Sequence, residues 1–268
     1  MILATKTYGP PPYSVVVVHG GPGAPGEMAP VARELSNRFG VIEPLQSATT
    51  VEGQIAELVE QICEQCDHPV VIIGYSWGAW LAYLVAAKFP EVVSKLILVG
   101  SGPFDVAFVD EMRETRRSRL SPEERSEHES LTKNFAALDD AGLSRLGELS
   151  RKTDLFDPLD APSELLDCDS EAFKNVWPEA AALRASGELL ALAKKTRCPV
   201  AAIHGTHDPH PAQGVELPLR SRLSQFDFFP LEKCGHTPWL ERQAKSRFFD
   251  ILIDLIEEYE VKPASVAD

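Results

Sequence analysis

Three residues of this chain have the types and settings needed for nucleophilic catalysis. Ser76 sits in Gly74-Tyr75-Ser76-Trp77-Gly78, a Gly-x-Ser-x-Gly pentapeptide. Asp208 sits in Gly205-Thr206-His207-Asp208-Pro209-His210-Pro211, and His236 in Cys234-Gly235-His236-Thr237-Pro238-Trp239. A serine hydroxyl is a weak nucleophile at neutral pH and needs a base within hydrogen-bond reach. An imidazole suits, because it titrates close to neutrality. The imidazole in turn needs an acid that fixes its tautomer and stabilises its charged form. Ser76 as nucleophile, His236 as base and Asp208 as acid meet these needs. Asp105 is a rival for the acid. His204, His207 and His210 are rivals for the base, but they crowd the acid. His19 reads as a residue that orders its own loop.

The elements around these residues must bring them together. Val70-Val71-Ile72-Ile73 is a β-branched run before the pentapeptide, which predicts a strand buried on both faces. Residues 77–88 follow at once with a helical pattern. A serine in so sharp a strand-to-helix turn stands clear of the backbone. Gly74 and Gly78 flank it where a Cβ would clash. The helix N-terminus also aims amide N–H groups at the space around Ser76.

Further strands are expected at residues 2–8, 15–18, 41–45, 95–99, 198–203 and 225–231. Helices are expected at 28–39, 51–66, 218–223 and 241–259. Strand and helix alternate, so the fold class is α/β, with a mostly parallel sheet covered on both faces. Ligands of such sheets bind beyond the carboxyl ends of the strands. His19, Ser76, Gly102, Asp208 and His236 each lie just past a predicted strand end.

Residues 104–196 have a different texture. They lack a β-branched run, carry many charges, and break at Ser121-Pro122, Asp157-Pro158, Ala161-Pro162 and Trp177-Pro178. Four or five helices are expected, including 110–119, 122–138 and 180–195. The division is therefore a core of 1–103 and 197–268 with a helical insertion at 104–196. Residues 261–268 read as a frayed end.

Composition narrows the function. The chain has 268 residues, 44% hydrophobic and 25% charged, ordinary for a globular protein. A net charge of −14 argues against nucleic acid or an anionic membrane as partner. No stretch reads as a signal peptide or a membrane span, so a cytoplasmic location is expected. Five scattered cysteines point to reduced thiols, and Cys63 and Cys66 read as helix-face residues. Oligomeric state leaves no mark in the sequence.

The strand–GYSWG–helix unit, GTHDPHP and CGHTPW, in that order, resemble the α/β-hydrolase superfamily, over essentially the whole chain. His19-Gly20-Gly21-Pro22-Gly23 looks like the oxyanion loop of its proline iminopeptidase branch. The resemblance implies that Gly21 and Trp77 supply two oxyanion N–H groups and that residues 104–196 form a cap. Only 14 residues precede the first strong strand, so the family's N-terminal hairpin is expected to be truncated to one edge strand or lost. Iminopeptidases bind a free amine through cap glutamates. The candidates here are Glu111, Glu114, Glu148, Glu164, Glu171, Glu179 and Glu188. Aromatic candidates for a substrate lining are Phe104, Trp177 and Trp239.

The expectation is a serine hydrolase acting on a small ester, amide or short peptide through an acyl-enzyme, with no metal or organic cofactor. The alternatives are a proline iminopeptidase-like aminopeptidase and, from another class, a non-catalytic ligand-binding protein on a hydrolase scaffold.

Overall fold

The computed structural model describes residues 4–160 and 169–260. The expected strand start at Ile2, the Ala161-Pro162 break, Glu164 and the expected frayed end 261–268 lie outside the described residues.

Strand β2 (Tyr13–Val18), β4 (Val70–Tyr75), β5 (Val93–Val99) and β6 (Val200–Gly205) form the middle of a seven-stranded sheet. β1 (Thr5–Tyr8) and β3 (Gly40–Pro44) lie on one side and β7 (Phe226–Leu231) on the other. The order is β1-β3-β2-β4-β5-β6-β7. Every pairing is parallel except β1 with β3. β1 is the one antiparallel edge strand among the described residues.

The apolar strand runs face two ways, because successive side chains alternate across a sheet. Val16, Val18, Ile72, Leu96 and Leu98 pack against helices α2 (Val51–Gln65) and α3 (Trp77–Lys88). Val15, Val17, Ile73 and Ile97 pack on the opposite face against α1 (Ala29–Leu35) and α10 (Lys245–Glu260). α3 has no polar stripe, and Trp77 to Ala87 are all buried. It is covered outside by helices from the segment between β5 and β6.

That segment contains α4 (Val109–Ser118), α5 (Pro122–Lys133), α6 (Asp140–Asp154), α7 (Ser170–Ala185) and α8 (Glu188–Ala191). Trp177-Pro178 does not break the chain, as its composition suggested. α7 runs through it, because Val176 and Ala180 are buried beneath the helix and Trp177 stacks on Trp80. That packing outweighs the one backbone bond Pro178 cannot make. The expected helix at 180–195 is instead divided at Gly187, whose φ of 79° ends α7 in the left-handed manner glycine permits.

The expected helix at 218–223 begins earlier, as α9 (Gln213–Arg220) with Pro218 inside it. Pro218 has no N–H to give to the Gly214 carbonyl, and that carbonyl accepts the Phe104 N–H at 2.9 Å instead. The proline thereby ties α9 to the turn after β5. α10 starts at Lys245 and not at residue 241, because Glu241 is committed elsewhere, as described below.

Candidate active site

Ser76 lies between β4 and α3 with φ 53° and ψ −115°, a conformation costly for a residue with a Cβ. The flanking glycines make the turn possible. A Cβ on Gly74 would stand 2.2 Å from the Gly78 carbonyl oxygen, and one on Gly78 would stand 2.3 Å from that of Val18. The start of α3 therefore lies directly on the end of β2. Ser76 N–H donates to Val99 O at 3.0 Å, which ties the turn to β5.

The loop after β2 reaches the same place. Gly21 has φ 104°, which only glycine adopts readily. The Gly21 and Trp77 N–H groups have no acceptor among the described residues. The Trp77 indole is fixed by its bond to Gln54 Oε1 at 2.8 Å. His19 is buried and its Nδ1–H donates to the Gly20 carbonyl at 2.9 Å, so it orders its own loop. Burial pushes its pKa down to about 4.

Asp208 and His236 meet across two loops. The Asp208 side chain is fully buried just past β6, and its Oδ2 accepts from His236 Nδ1 at 2.7 Å. Its Oδ1 accepts twice from His210, from the backbone N–H at 2.9 Å and from Nδ1 at 2.7 Å. His204 donates from Nε2 to the His210 carbonyl at 2.8 Å and lies 3.5 Å from the same carboxylate. Burial works to raise the Asp208 pKa, but the histidines and the hydrogen bond from His210 hold it well below the ordinary carboxylate range. Burial works to lower His236, and the Asp208 charge and hydrogen bond overcome it, so that imidazole titrates above 6.5.

His236 is held from every side. Its N–H donates to Asp154 O at 2.7 Å. Its ring lies 5.0 Å from that of Tyr75, whose hydroxyl bonds Thr237 Oγ1 at 2.8 Å. Gly100, with φ 52°, leaves room for it, since a Cβ there would stand 2.7 Å from His236 O. Glu241, fully buried, accepts the N–H groups of Gly235 (2.9 Å), Phe156 (2.8 Å) and Asp157 (2.8 Å). One carboxylate thus joins the His236 loop to the chain leaving α6.

The rivals fall elsewhere. Asp105 Oδ1 accepts the Ala107 N–H at 3.0 Å in the turn after β5 and makes no histidine pair among the described residues. His207 packs on Phe156. His210 bonds the same carboxylate as His236. The two rings lie 4.5 Å apart. Burial lowers the His210 pKa to about 4, so it stays neutral with the proton on Nδ1. Its Nε2 faces Arg116 Nη2 at 3.5 Å, and Arg116 is paired with Asp154 through two bonds of 3.0 Å.

Phe104 and Trp239 are enclosed in packing, Phe104 against Trp80 and Tyr83, Trp239 against Tyr75 and Phe248. Both are buried, and Phe104 also borders a cavity beside the turn after β5. Trp177 is half-buried on Trp80. Glu111, Glu114, Glu148, Glu171, Glu179 and Glu188 are exposed. Glu179 accepts the Val51 N–H at 2.8 Å at the start of α2, and Glu148 pairs with Arg145.

Glu27 belongs to the site without any spacing signal to reveal it. It is partly buried, its Oε2 accepts the Gly20 N–H at 3.1 Å, and burial raises its pKa to about 7 against the pull of His236. Among the described residues, one cluster has the spacing to hold a metal ion: Asp208, His210 and His236, with ligand atoms within 4.8 Å of one another. Here both Nδ1 protons are given to the carboxylate.

The profile of the Alpha/beta hydrolase family matches residues 15–248. The chain belongs to this family. Among solved structures it is similar to VinJ, at 19% identity and a TM-score of 0.72 over 95% of this chain and 94% of that one. It is similar to proline iminopeptidase from Mycobacterium smegmatis, at 16% identity, TM-score 0.63, over 96% and 95%. It is also similar to the monoacylglycerol lipase of Paleococcus ferrophilus, at 15% identity, TM-score 0.63, over 97% and 100%. At these identities the likeness is one of fold. No curated protein matches the sequence. No helix among the described residues is long and apolar enough to cross a membrane.

The Glu27 carboxylate yields a prediction about stability. An acid whose folded pKa lies above its unfolded value binds more protons when folded, so stability falls as pH rises between the two. That window runs from about 4.5 to about 7 for Glu27. Glu27→Gln keeps an acceptor for Gly20 and removes the charge. Thermal melts should show the variant gaining on the parent at pH 8 and matching it near pH 4.5; an equal change at both would refute the assignment.

Proposed function

We propose that this chain is a serine hydrolase that cleaves a small ester or amide through an acyl-enzyme. The reading rests on one observation: a serine in a strained strand-to-helix turn shares a sheet edge with a buried 2.7 Å histidine–carboxylate bond. Ser76 Oγ attacks the substrate carbonyl while His236 Nε2 takes its proton. Asp208 holds the proton on Nδ1, so Nε2 is the basic nitrogen, and stabilises the imidazolium. The Gly21 and Trp77 N–H groups receive the tetrahedral oxyanion. His236 returns the proton to the leaving group, then takes one from water for deacylation. Residues 104–196 act as the cap on a core of 1–103 and 197–268. The scheme calls on no metal or organic cofactor.

Neither Ser76 Oγ nor His236 Nε2 has a hydrogen-bond partner among the described residues. In this scheme their contact tightens when substrate arrives, as catalytic hydrogen bonds commonly do. The described candidates Glu111, Glu114, Glu148, Glu171, Glu179 and Glu188 are exposed, so none of these offers a desolvated carboxylate for a substrate ammonium. This favours an ester or amide without a free amine over an N-terminal proline peptide.

Two measurements test the scheme. Short-acyl p-nitrophenyl esters should be turned over, and Ser76→Ala should lower kcat by roughly four to six orders of magnitude. Near-native turnover by Ser76→Ala would refute it, and Ser76-dependent cleavage of proline β-naphthylamide would move the enzyme to the aminopeptidase branch. The second concerns His210, which positions Asp208 by a hydrogen bond to a charged group, a contact of roughly 1.5–3 kcal/mol. His210→Leu should reduce kcat/KM about tenfold or more and shift the acid limb of the pH profile upward, as Asp208 becomes a stronger acceptor for His236. His210→Asn, whose amide replaces Nδ1–H, should restore both. A profile unmoved in His210→Leu would assign His210 to packing alone.

A further inference from the structure

A cavity of about 390 Å³ opens between the turn after β5 and helices α7 and α8. It shares no lining residue with the Asp208–His236 cluster. Its charge is opposite to that of the molecule. The chain carries a net −14, yet Arg184, Lys194 and Arg222 all line this hollow.

Arg184 is the residue that needs explaining. It is only 8% exposed, in the last turn of α7. Its guanidinium lies over the Trp80 ring at 5.2 Å, which fixes its plane. Its Nε is buried without a hydrogen-bond partner. No carboxylate lies within 4.0 Å of it among the described residues. Burial and the like charge of Arg113 both act against its ionised form. A buried, unpaired guanidinium is expensive, and a bound anion removes that cost.

The rim continues the pattern. Lys194 and Arg222 are exposed and have no ion-pair partner among the described residues. Arg222 Nη1 is steadied by Pro218 O and Ser221 Oγ. Asp105 is the one acid in the lining, and its Oδ1 is occupied by the Ala107 N–H. Val106, 51% exposed, and Leu190 add apolar surface beside the cations. A planar guanidinium matches phosphate oxygens in pairs, and lysine adds a point charge.

We propose that this cavity binds the phosphate group of a small organic monoester, with Arg184, Lys194 and Arg222 on the phosphate oxygens and Val106 and Leu190 against the organic part. Such a ligand ties the turn after β5 to α7, α8 and the end of α9.

The test is calorimetric titration of the full chain with phenyl phosphate and with inorganic phosphate, in chloride buffer at constant ionic strength. It involves no turnover, so its outcome is independent of the role given to Ser76. Arg184 also packs on Trp80, so the deciding variant is the exposed pair Lys194→Gln with Arg222→Gln, checked for an unchanged melting temperature. Saturable binding of phenyl phosphate, weakened about tenfold or more in the double variant, is expected. Tighter binding of the ester than of inorganic phosphate supports the organic ligand. Equal binding of the two keeps the anion site but overturns the organic part. No saturable heat with either, or equal affinity in parent and double variant, overturns the proposal.

Discussion

A single buried carboxylate, Asp208, is the constraint around which the site is arranged. Its side chain is fully enclosed, and an ionised group there is tolerable only if its oxygens are matched by donors. The chain supplies them from two loops. His210 comes from the same turn and His236 from the loop after β7. The second loop must therefore reach back over the end of β6. It does so through Gly205 and Gly235, where a Cβ on Gly205 would stand 2.2 Å from the Gly235 carbonyl. The carboxylate that sets the tautomer of His236 also draws the two loops together.

The helical segment between β5 and β6 is part of this arrangement. Asp154, at the end of α6, accepts from the His236 backbone and pairs with Arg116 of α4, which in turn faces His210. Glu241 then clamps the chain just beyond α6 to Gly235. Asp154 and Glu241 fix backbone, while His210 bonds Asp208 and Arg116 faces His210. On the other side, Gly23 O accepts the Asp169 N–H at 3.0 Å, so the start of α7 sits on the loop that carries Gly21. The helices that cover the core are thus bonded to both halves of the site.

Much of this was legible in the sequence. β2 and β4 announce themselves by β-branched runs and β5 and β6 by shorter apolar stretches, because a parallel strand is buried on both faces. The Ser76 turn is legible because its geometry demands glycines at fixed offsets. Asp208 and His236 stand out as residues just past predicted strand ends, in the chain order that the family resemblance implies. The misreadings have physical causes. Pro178 and Pro218 lie inside helices because packing at Val176 and Ala180, and the Phe104–Gly214 bond, replace what proline removes. The role of Phe104 and Trp239 is not legible, because an aromatic looks the same in sequence whether it faces a ligand or a neighbour. Glu27, Arg116 and Glu241 had no signal, since each acts through a partner far away in sequence or through backbone groups. His210 could have been found: it stands two residues past Asp208, within reach of a turn closed by its side chain.

The account depends on Ser76 being activated by His236 under the control of Asp208. The most direct test is the rate of labelling by a fluorophosphonate as a function of pH, with the adduct located by peptide mass spectrometry. The account predicts one adduct per chain, on Ser76, forming faster as pH rises through a titration above 6.5, and suppressed in His236→Ala. Labelling on another residue, or labelling of Ser76 that is indifferent to pH and to His236, would contradict it.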